Sequence, residues 1–477
     1  MKTGNKTKIV ATIGPASTSK EVLREMILSG MNICRINFSH GNYDTVSETI
    51  LNLRELNVEM ETYVGVLADL QGPKLRIGEV KDNGVELIPG KQVTITTVKE
   101  ISTAERIFIT YPEFPKDVIV GENVLIDDGK LILTVLSTDN DTEVKAVVVQ
   151  GGILSSRKGV NLPNTKISLP CLTEKDIRDL DFALQNKVEW IGLSFVRSVT
   201  DILDLKGRIK AANSPARIVA KIEKPEALKE IDAIIEAADA VMVARGDLGV
   251  ELPLEQVPTI QKMLVRKCIQ QSRPVIIATQ MMESMLTNQS PTRAEVNDVA
   301  NAVLDGADAV MLSEETSVGL YPVKTVQHMH RIVRYIEEHE KSIYYREHHP
   351  EVHNTLTFIS DSICYNACVM AKHVNVTAIA TMTNSGYTSF KLSSHRPKAN
   401  IFTFTDNPSL LTTLSLVWGV YGFYYDKYES TDITIQDIQK ILLEEGHTKK
   451  GDFSINIAST PIKERGRANM IKLSLVG

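Results

Sequence analysis

Lys221 and Glu223 stand one residue apart in the otherwise apolar run IVAKIE. In a strand, side chains two positions apart project to the same face, so the ammonium and the carboxylate share it. Burying two charges costs several kcal/mol unless they pair or bind an ion. A second carboxylate, Asp247, follows at the end of the next apolar run, AVMVARGD. Two carboxylates at neighbouring strand ends, with few other protein ligands, suit Mg²⁺, which keeps its waters and takes the rest of its shell from substrate oxygens. Lys221 beside that metal adds positive charge where an anion reacts. Together these residues point to a small, highly anionic, phosphorylated substrate. The chain contains no G-x-x-x-x-G-K-[ST], no G-x-G-x-x-G and no protein-kinase catalytic loop. Phosphate must then be held by Arg35, by Lys221, by the metal and by the backbone N–H groups of Gly246 and Asp247 opening a helix.

Such a site needs strands whose ends converge. Short Val/Ile-rich runs begin at Lys8, Cys34, Tyr63, Trp190, Arg217, Ala240, Pro274 and Ala309. Nearly continuous apolar runs of this kind mark a parallel sheet buried on both faces. Between them, SKEVLREMILSGM, TEKDIRDLDFALQNKV, TIQKMLVRKCIQQS and EVNDVANAVLDGA carry apolar residues at helical spacing. All but one of the intervals fit one strand plus one helix, which predicts a (β/α)8 TIM barrel. Working residues of such a barrel sit at the carboxyl ends of its strands, and the polar endings here are many. They are Arg35, Asn37, Ser39 and His40 after the second run, Asp69 after the third, Ser194 after the fourth, and Lys221 and Glu223 after the fifth. Arg245 and Asp247 follow the sixth, Thr279 and Gln280 the seventh, and Glu314 and Glu315 the eighth.

The single long interval, between Tyr63 and Trp190, predicts an inserted domain over 73–159 that divides the barrel into 1–72 and 160–344. There VELIPGKQVTITT and NVLIDDGKLILTVL, with Asp128-Gly129 as a hairpin turn signal, read as a small antiparallel β domain. Over 345–477, TLTFISDSICYNACVMAKHV reads as a helix, and VTAIATMT, NIFTFT, GFYYD and FSINIAST read as strands alternating with helical stretches. That pattern predicts a C-terminal doubly wound α/β domain.

With 53 Lys and Arg against 59 Asp and Glu, the net charge is −6. Neither the total nor any long stretch supplies the one-sided basic face that nucleic-acid binding requires. No run of about 18 apolar residues exists to span a membrane, and MKTGNKTKIVATIG lacks the apolar stretch of a signal peptide, so a cytoplasmic protein is expected. Cys34, Cys171, Cys268, Cys364 and Cys368 are too few and too scattered for a disulfide framework, and Cys364 and Cys368, on one helix face, read as core packing. His348, His349 and His353 in the linker YYREHHPEVH lack the partnering pattern of a metal site and read as a solvated polar linker.

The stretches KIVATIGPAS, CRINFSHG, GPKLRIG, RKGVNLP, LSFVR, AKIEKPEAL, MVARGDLGVE, ATQMMESM, PTRAEVNDVANAV and DGADAVMLSEET occur in one order and spacing. In them the chain resembles the pyruvate kinase family, over almost its whole length. The resemblance implies phosphoryl transfer from phosphoenolpyruvate to ADP, giving ATP and a pyruvate enolate that is then protonated. It implies that Glu223 and Asp247 bind Mg²⁺ or Mn²⁺, that Lys221 stabilises the transferring phosphoryl group and the enolate oxygen, and that Arg35 clamps the substrate phosphate. Gly246, Asp247 and Thr279 would line the carboxylate end, with Ser194 among the substrate-binding residues and Thr279 on the face where carbon is protonated. Asn37, Ser39, His40, Arg76 and Lys158 would face the nucleotide. Arg76 and Lys158 lie near the junctions of the insertion, which as a β-barrel lid would close over ADP and exclude water.

In many family members K⁺ is held by side chains matching Asn37, Ser39 and Asp69 and by a carbonyl matching that of Leu70. Those members usually carry Glu where this chain has Lys74, and Thr where it has Leu70. A Lys ammonium can take the electrostatic role of K⁺, so K⁺ is expected to be dispensable. In the C-terminal domain Thr383, Asn384, Ser385, Gly386 and Thr388 place hydroxyl, amide and glycine groups before a helix, a phosphate cradle where the family binds a phosphorylated allosteric effector. The family also implies a homotetramer. Two other readings compete: a metal-dependent barrel lyase or mutase, which would not need the lid or Arg76 and Lys158, and a catalytically dead sensor, which would have lost Lys221, Glu223, Asp247 or Thr279.

Overall fold

The apolar runs form eight parallel strands, Lys8–Ile13, Ile33–Asn37, Gly65–Asp69, Trp190–Leu193, Arg217–Ile222, Ala240–Ala244, Val275–Ala278 and Ala309–Leu312, which close into a barrel in chain order. The computed structural model describes residues 4–39, 42–163, 165–346, 348–350, 357–461 and 466–477. Alternation along each strand sorts its side chains. Outward residues such as Ile9, Cys34, Val66 and Ile218 pack against the surrounding helices. Inward Val10, Ile33, Leu67, Trp190 and Val219 fill the barrel and join the core of the C-terminal domain through Leu416 and Val417. Thr12, Arg35, Asp69 and Lys221 each lie two residues beyond one of these inward residues, so they occupy the same interior face one layer nearer the carboxyl rim. The apolar layer beneath them offers their charges no solvation from below.

The helices expected from sequence form at Lys20–Leu28, Glu174–Gln185, Val257–Gln270 and Arg293–Asp305. Thr173 with Asp176, and Thr292 with Glu295, make capping boxes that fix two of the helix starts.

In the insertion, Asn123–Ile126 and Leu131–Thr138 form the expected hairpin, turning through left-handed Asp127, Asp128 and Gly129. Its main sheet has six strands, with Val160–Asn161 on one edge and Arg106–Phe108 on the other. Among the described residues, the sheet edges of the expected β-barrel are joined by single-residue bridges: Arg76 with Gly159, Ile77 with Ile109 and Val80 with Ser102. Val160 and Leu162 belong to the insertion's own apolar core, and Val160–Asn161 pairs with Ile126 and Leu125, so the sheet runs just past residue 159.

The C-terminal sheet places Val420–Tyr424, Asn400–Thr405, Ala378–Met382 and Phe453–Ala458 side by side in parallel, with Met470–Leu475 antiparallel on the far edge. This last strand and the helix Thr431–Glu444 are additions to the expected pattern. The strand is half exposed along its length and so lacks the continuous apolar run by which the others are read. All five cysteines are buried free thiols, and Cys364 and Cys368 pack in the helix Phe358–Val374. His348 is half-buried and stacks on His395 at 4.1 Å, while His349 is exposed and tilts against Tyr365; His353 lies outside the described residues. Among the described residues no helix is long and apolar enough to cross a membrane.

Candidate active site

At the carboxyl rim the inward polar residues assemble into one buried network. Lys221 Nζ lies 2.9 Å from Glu223 Oε1 and 3.1 Å from Asp69 Oδ1, and it donates to Ser194 Oγ at 2.6 Å. Ser194 passes its own hydrogen to the Leu70 carbonyl at 2.7 Å. Arg35 donates through Nε to Asp69 Oδ2 at 2.7 Å and through Nη1 to Thr12 Oγ1 at 2.7 Å. Asp69 and Glu223 are 1% and 2% exposed, so every charge here is settled by its neighbours rather than by water.

Burial opposes charge on each group, and the neighbours decide the outcome. For Lys221, burial lowers the pKa, but Asp69 and Glu223 outweigh it and hold the ammonium well above its ordinary range. For Asp69, burial raises the pKa, but Lys221 and Arg35 win and the carboxyl sits below its ordinary value. Glu223 goes the other way: burial, reinforced by Asp247, exceeds the help from Lys221 and raises it.

Gly246 and Asp247 fall in the short helix Arg245–Glu251, directly after the sixth strand. The Gly246 N–H donates to Thr279 Oγ1 at 2.8 Å, and that hydroxyl donates to the Ala278 carbonyl at 2.6 Å. Thr279 and Gln280 both adopt left-handed backbone, with φ of 68° and 54°. A β-branched residue in that region is strained, and such strain concentrates at functional sites. Arg245 braces it by donating to the Thr279 carbonyl at 2.7 Å while pairing with Asp298 at 2.7 Å.

Glu223 gives Oε1 to Lys221 and accepts the Phe195 N–H on Oε2 at 2.8 Å. The Asp247 carboxylate has no hydrogen-bond or ion-pair partner among the described residues. Nor do three His, Cys, Asp or Glu side chains converge there as a metal cage. One buried carboxylate and one unengaged carboxylate fit a Mg²⁺ or Mn²⁺ ion completed by water and substrate oxygens.

Comparisons with known proteins place the whole chain beside phosphoryl-transfer enzymes. The family model described as pyruvate kinase, barrel domain, matches residues 4–326, and that described as pyruvate kinase, alpha/beta domain, matches residues 361–474. The chain belongs to the pyruvate kinase family. It is 41% identical to a pyruvate kinase of Geobacillus stearothermophilus over 476 residues, which cover 99% of this chain and 80% of that one. It is 40% identical to one of Mycobacterium tuberculosis over 470 residues, 98% of each. A crystal structure of a pyruvate kinase from Cryptosporidium parvum superposes with a TM-score of 0.91 at 33% identity, covering 99% of this chain and 96% of that one. The activity is therefore phosphotransfer from phosphoenolpyruvate to ADP, with ATP and pyruvate as products.

Against the pyruvate kinase pattern, the residues expected at the reacting centre come together and the more distant ones stay local. Asn37 Oδ1 accepts the Ser39 N–H at 3.0 Å; His40 lies outside the described residues. Arg76 donates to the Arg157 carbonyl at 3.0 Å and Lys158 pairs with Asp127 at 2.9 Å, both within the insertion. Of the monovalent-ion group, Asp69 is taken by Arg35 and Lys221 and the Leu70 carbonyl by Ser194. The Lys74 side chain is exposed and no ion pair joins it to Asp69. In the C-terminal loop, Thr383 Oγ1 accepts the Gly386 N–H at 3.0 Å, Asn384 and Ser385 lie at the exposed turn, and Thr388 is buried in the helix Tyr387–Ser394.

Thr12, Lys224 and Glu251 were not singled out from sequence, and Arg245 was noted without a role. Thr12 is the polar residue ending an apolar strand, the same signal that marked Arg35 and Asp69. Lys224 and Glu251, a buried pair at 2.6 Å, lie outside the strands and carry no periodic signal.

Proposed function

We propose that phosphoryl transfer in this enzyme is driven by fixed positive charge at the interior face of the barrel rim. The observation that carries this reading is the Lys221 ammonium held among Asp69, Glu223 and Ser194 with its charge secured by the two carboxylates. Lys221 neutralises the phosphoryl group in flight and the enolate oxygen it leaves. Arg35, oriented by Asp69 and Thr12, clamps the phosphate. Gly246 and Thr279 shape the carboxylate end, and the Thr279 hydroxyl, at the rim, stands where a proton is relayed to carbon. Glu223 and Asp247 would hold Mg²⁺ or Mn²⁺, which when bound would supply charge neutralisation for the anionic substrate.

Asn37, Ser39, His40, Arg76 and Lys158 face ADP, and the 73–159 insertion closes over it as a lid. K⁺ is dispensable: Asp69 already has two cationic neighbours, and Lys74 supplies a further ammonium at the mouth of the insertion. Thr383, Asn384, Ser385, Gly386 and Thr388 receive a phosphorylated effector in a homotetramer of cytoplasmic location, a setting that suits five free buried thiols. Steady-state pyruvate formation with phosphoenolpyruvate and ADP varied, in wild type and Lys221→Met, tests the assignment. A Lys221→Met enzyme that kept most of its turnover would overturn it.

A further inference from the structure

Two stems connect the insertion to the barrel, and both meet one small cluster. The outgoing stem leaves at Gly72, whose left-handed backbone (φ 70°) brings it so close to Phe195 that a Cβ there would lie 2.7 Å from the ring. The returning stem is the edge strand Val160–Asn161. Asn161 Nδ2 donates to Glu251 Oε1 at 2.8 Å, a side-chain hydrogen bond from the inserted sheet to the helix after the sixth barrel strand. The same Glu251 oxygen accepts Lys224 Nζ at 2.6 Å. Lys224 follows Glu223 directly and lies 5.9 Å from the centre of the Phe195 ring, whose backbone N–H holds Glu223.

The Lys224 and Glu251 side chains are 5% and 1% exposed, so this is a desolvated ion pair whose geometry is costly to change. Glu251 Oε2 is buried with no hydrogen-bond partner, which leaves all of the carboxylate's pairing on the oxygen that Asn161 and Lys224 share. Glu251 also ends the helix whose first turn carries Asp247. One carboxylate oxygen therefore ties the lid's returning stem to the two segments that carry Glu223 and Asp247.

We propose that Glu251 is a positioning residue that sets the angle of the insertion, reading the lid through Asn161 and the loop of Glu223 through Lys224. This inference rests on the reading of the insertion as a nucleotide lid. Losing the Asn161 tie frees the stem while the Lys224–Glu251 pair stays intact, so the lid closes less often and the nucleotide is held less well.

The test compares Asn161→Ala and Asn161→Asp with wild type. Expected are a KM for ADP raised about ten-fold, with a smaller fall in kcat, for Asn161→Ala, and a larger change in the same direction for Asn161→Asp, which sets a second carboxylate against Glu251. Backbone hydrogen exchange over residues 72–78 and 158–163, measured without substrate, should rise in both variants while the barrel strands keep their protection. A residue that merely stabilises the fold would lower Tm and leave the KM for ADP unmoved. Wild-type exchange at both stems in both variants would overturn the proposal, whatever the KM for ADP. The exchange comparison needs no turnover, so it decides this inference even if the assignment of the nucleotide to the lid fails.

Discussion

Asp69 Oδ1 and Lys221 Nζ face each other at 3.1 Å across the barrel interior, while the second oxygen of Asp69 holds Arg35 at 2.6 Å. One buried carboxylate thus sets the charge and direction of the two cations proposed to handle phosphate. The register explains it: Asp69 and Arg35 sit on adjacent strands, with Asn37 opposite Asp69, and all three point inward above an apolar layer. Cations fixed in this way need no reorganisation when negative charge develops in the substrate.

Replacing Lys221 by Met keeps much of the side chain's length and removes the charge. Because that charge acts chiefly on the transition state, kcat should fall by about 10³-fold or more, and the KM for phosphoenolpyruvate should move far less. A coupled assay of pyruvate formation measures both.

Asp69→Asn leaves Arg35 and Lys221 facing each other without their shared anion. Stability at neutral pH should fall by about 3–5 kcal/mol, the cost of breaking a buried pair. The Asp69 carboxyl lies below its ordinary 3.8, so its contribution is present above that value and is lost as pH falls through the folded pKa. Urea midpoints at a series of pH values should therefore show the gap between wild type and Asp69→Asn wide at neutrality and narrowing below pH 3.8.

The barrel and its rim were legible because a single rule governs both. Strands buried on two faces must be apolar except where function needs charge, so Arg35, Asp69, Lys221 and Glu223 stand out against Val, Ile and Leu. The rule fails where side chains answer to tertiary partners instead of strand alternation. Lys224, Glu251 and Asn161 lie on three separate segments, and nothing local says that they meet. The edge strand Met470–Leu475 is legible only through its partner Phe453–Ala458. Lys74 illustrates the converse: its type suggests a cation, but the sequence does not say that its side chain is exposed and makes no direct ion pair with Asp69.

The monovalent-ion expectation is tested by rate measurements in buffer free of Na⁺ and K⁺. Adding KCl at saturating phosphoenolpyruvate and divalent metal should change the wild-type rate less than about two-fold, salt screening being weak for buried charges. Lys74→Glu should make the rate rise on adding KCl. A wild-type rate that climbed many-fold with KCl would end the idea.

The linker between barrel and C-terminal domain carries an acid-sensitive contact. His395 is buried, stacked on His348 at 4.1 Å, and its Nδ1 has no partner; burial, then the charges of His348 and Lys391, push its pKa down to about 3. The unfolded chain binds a proton near 6.5 and the folded one does not until about 3, so stability rises with pH across that window and is lost as pH falls through it. At 1.36 kcal/mol per pH unit the loss amounts to a few kcal/mol. His395→Phe keeps a flat ring on His348 and removes the proton. Its urea midpoint, followed by tryptophan emission, should vary less between pH 6.5 and 4 than that of wild type, and an unchanged slope would show that the acid response arises elsewhere.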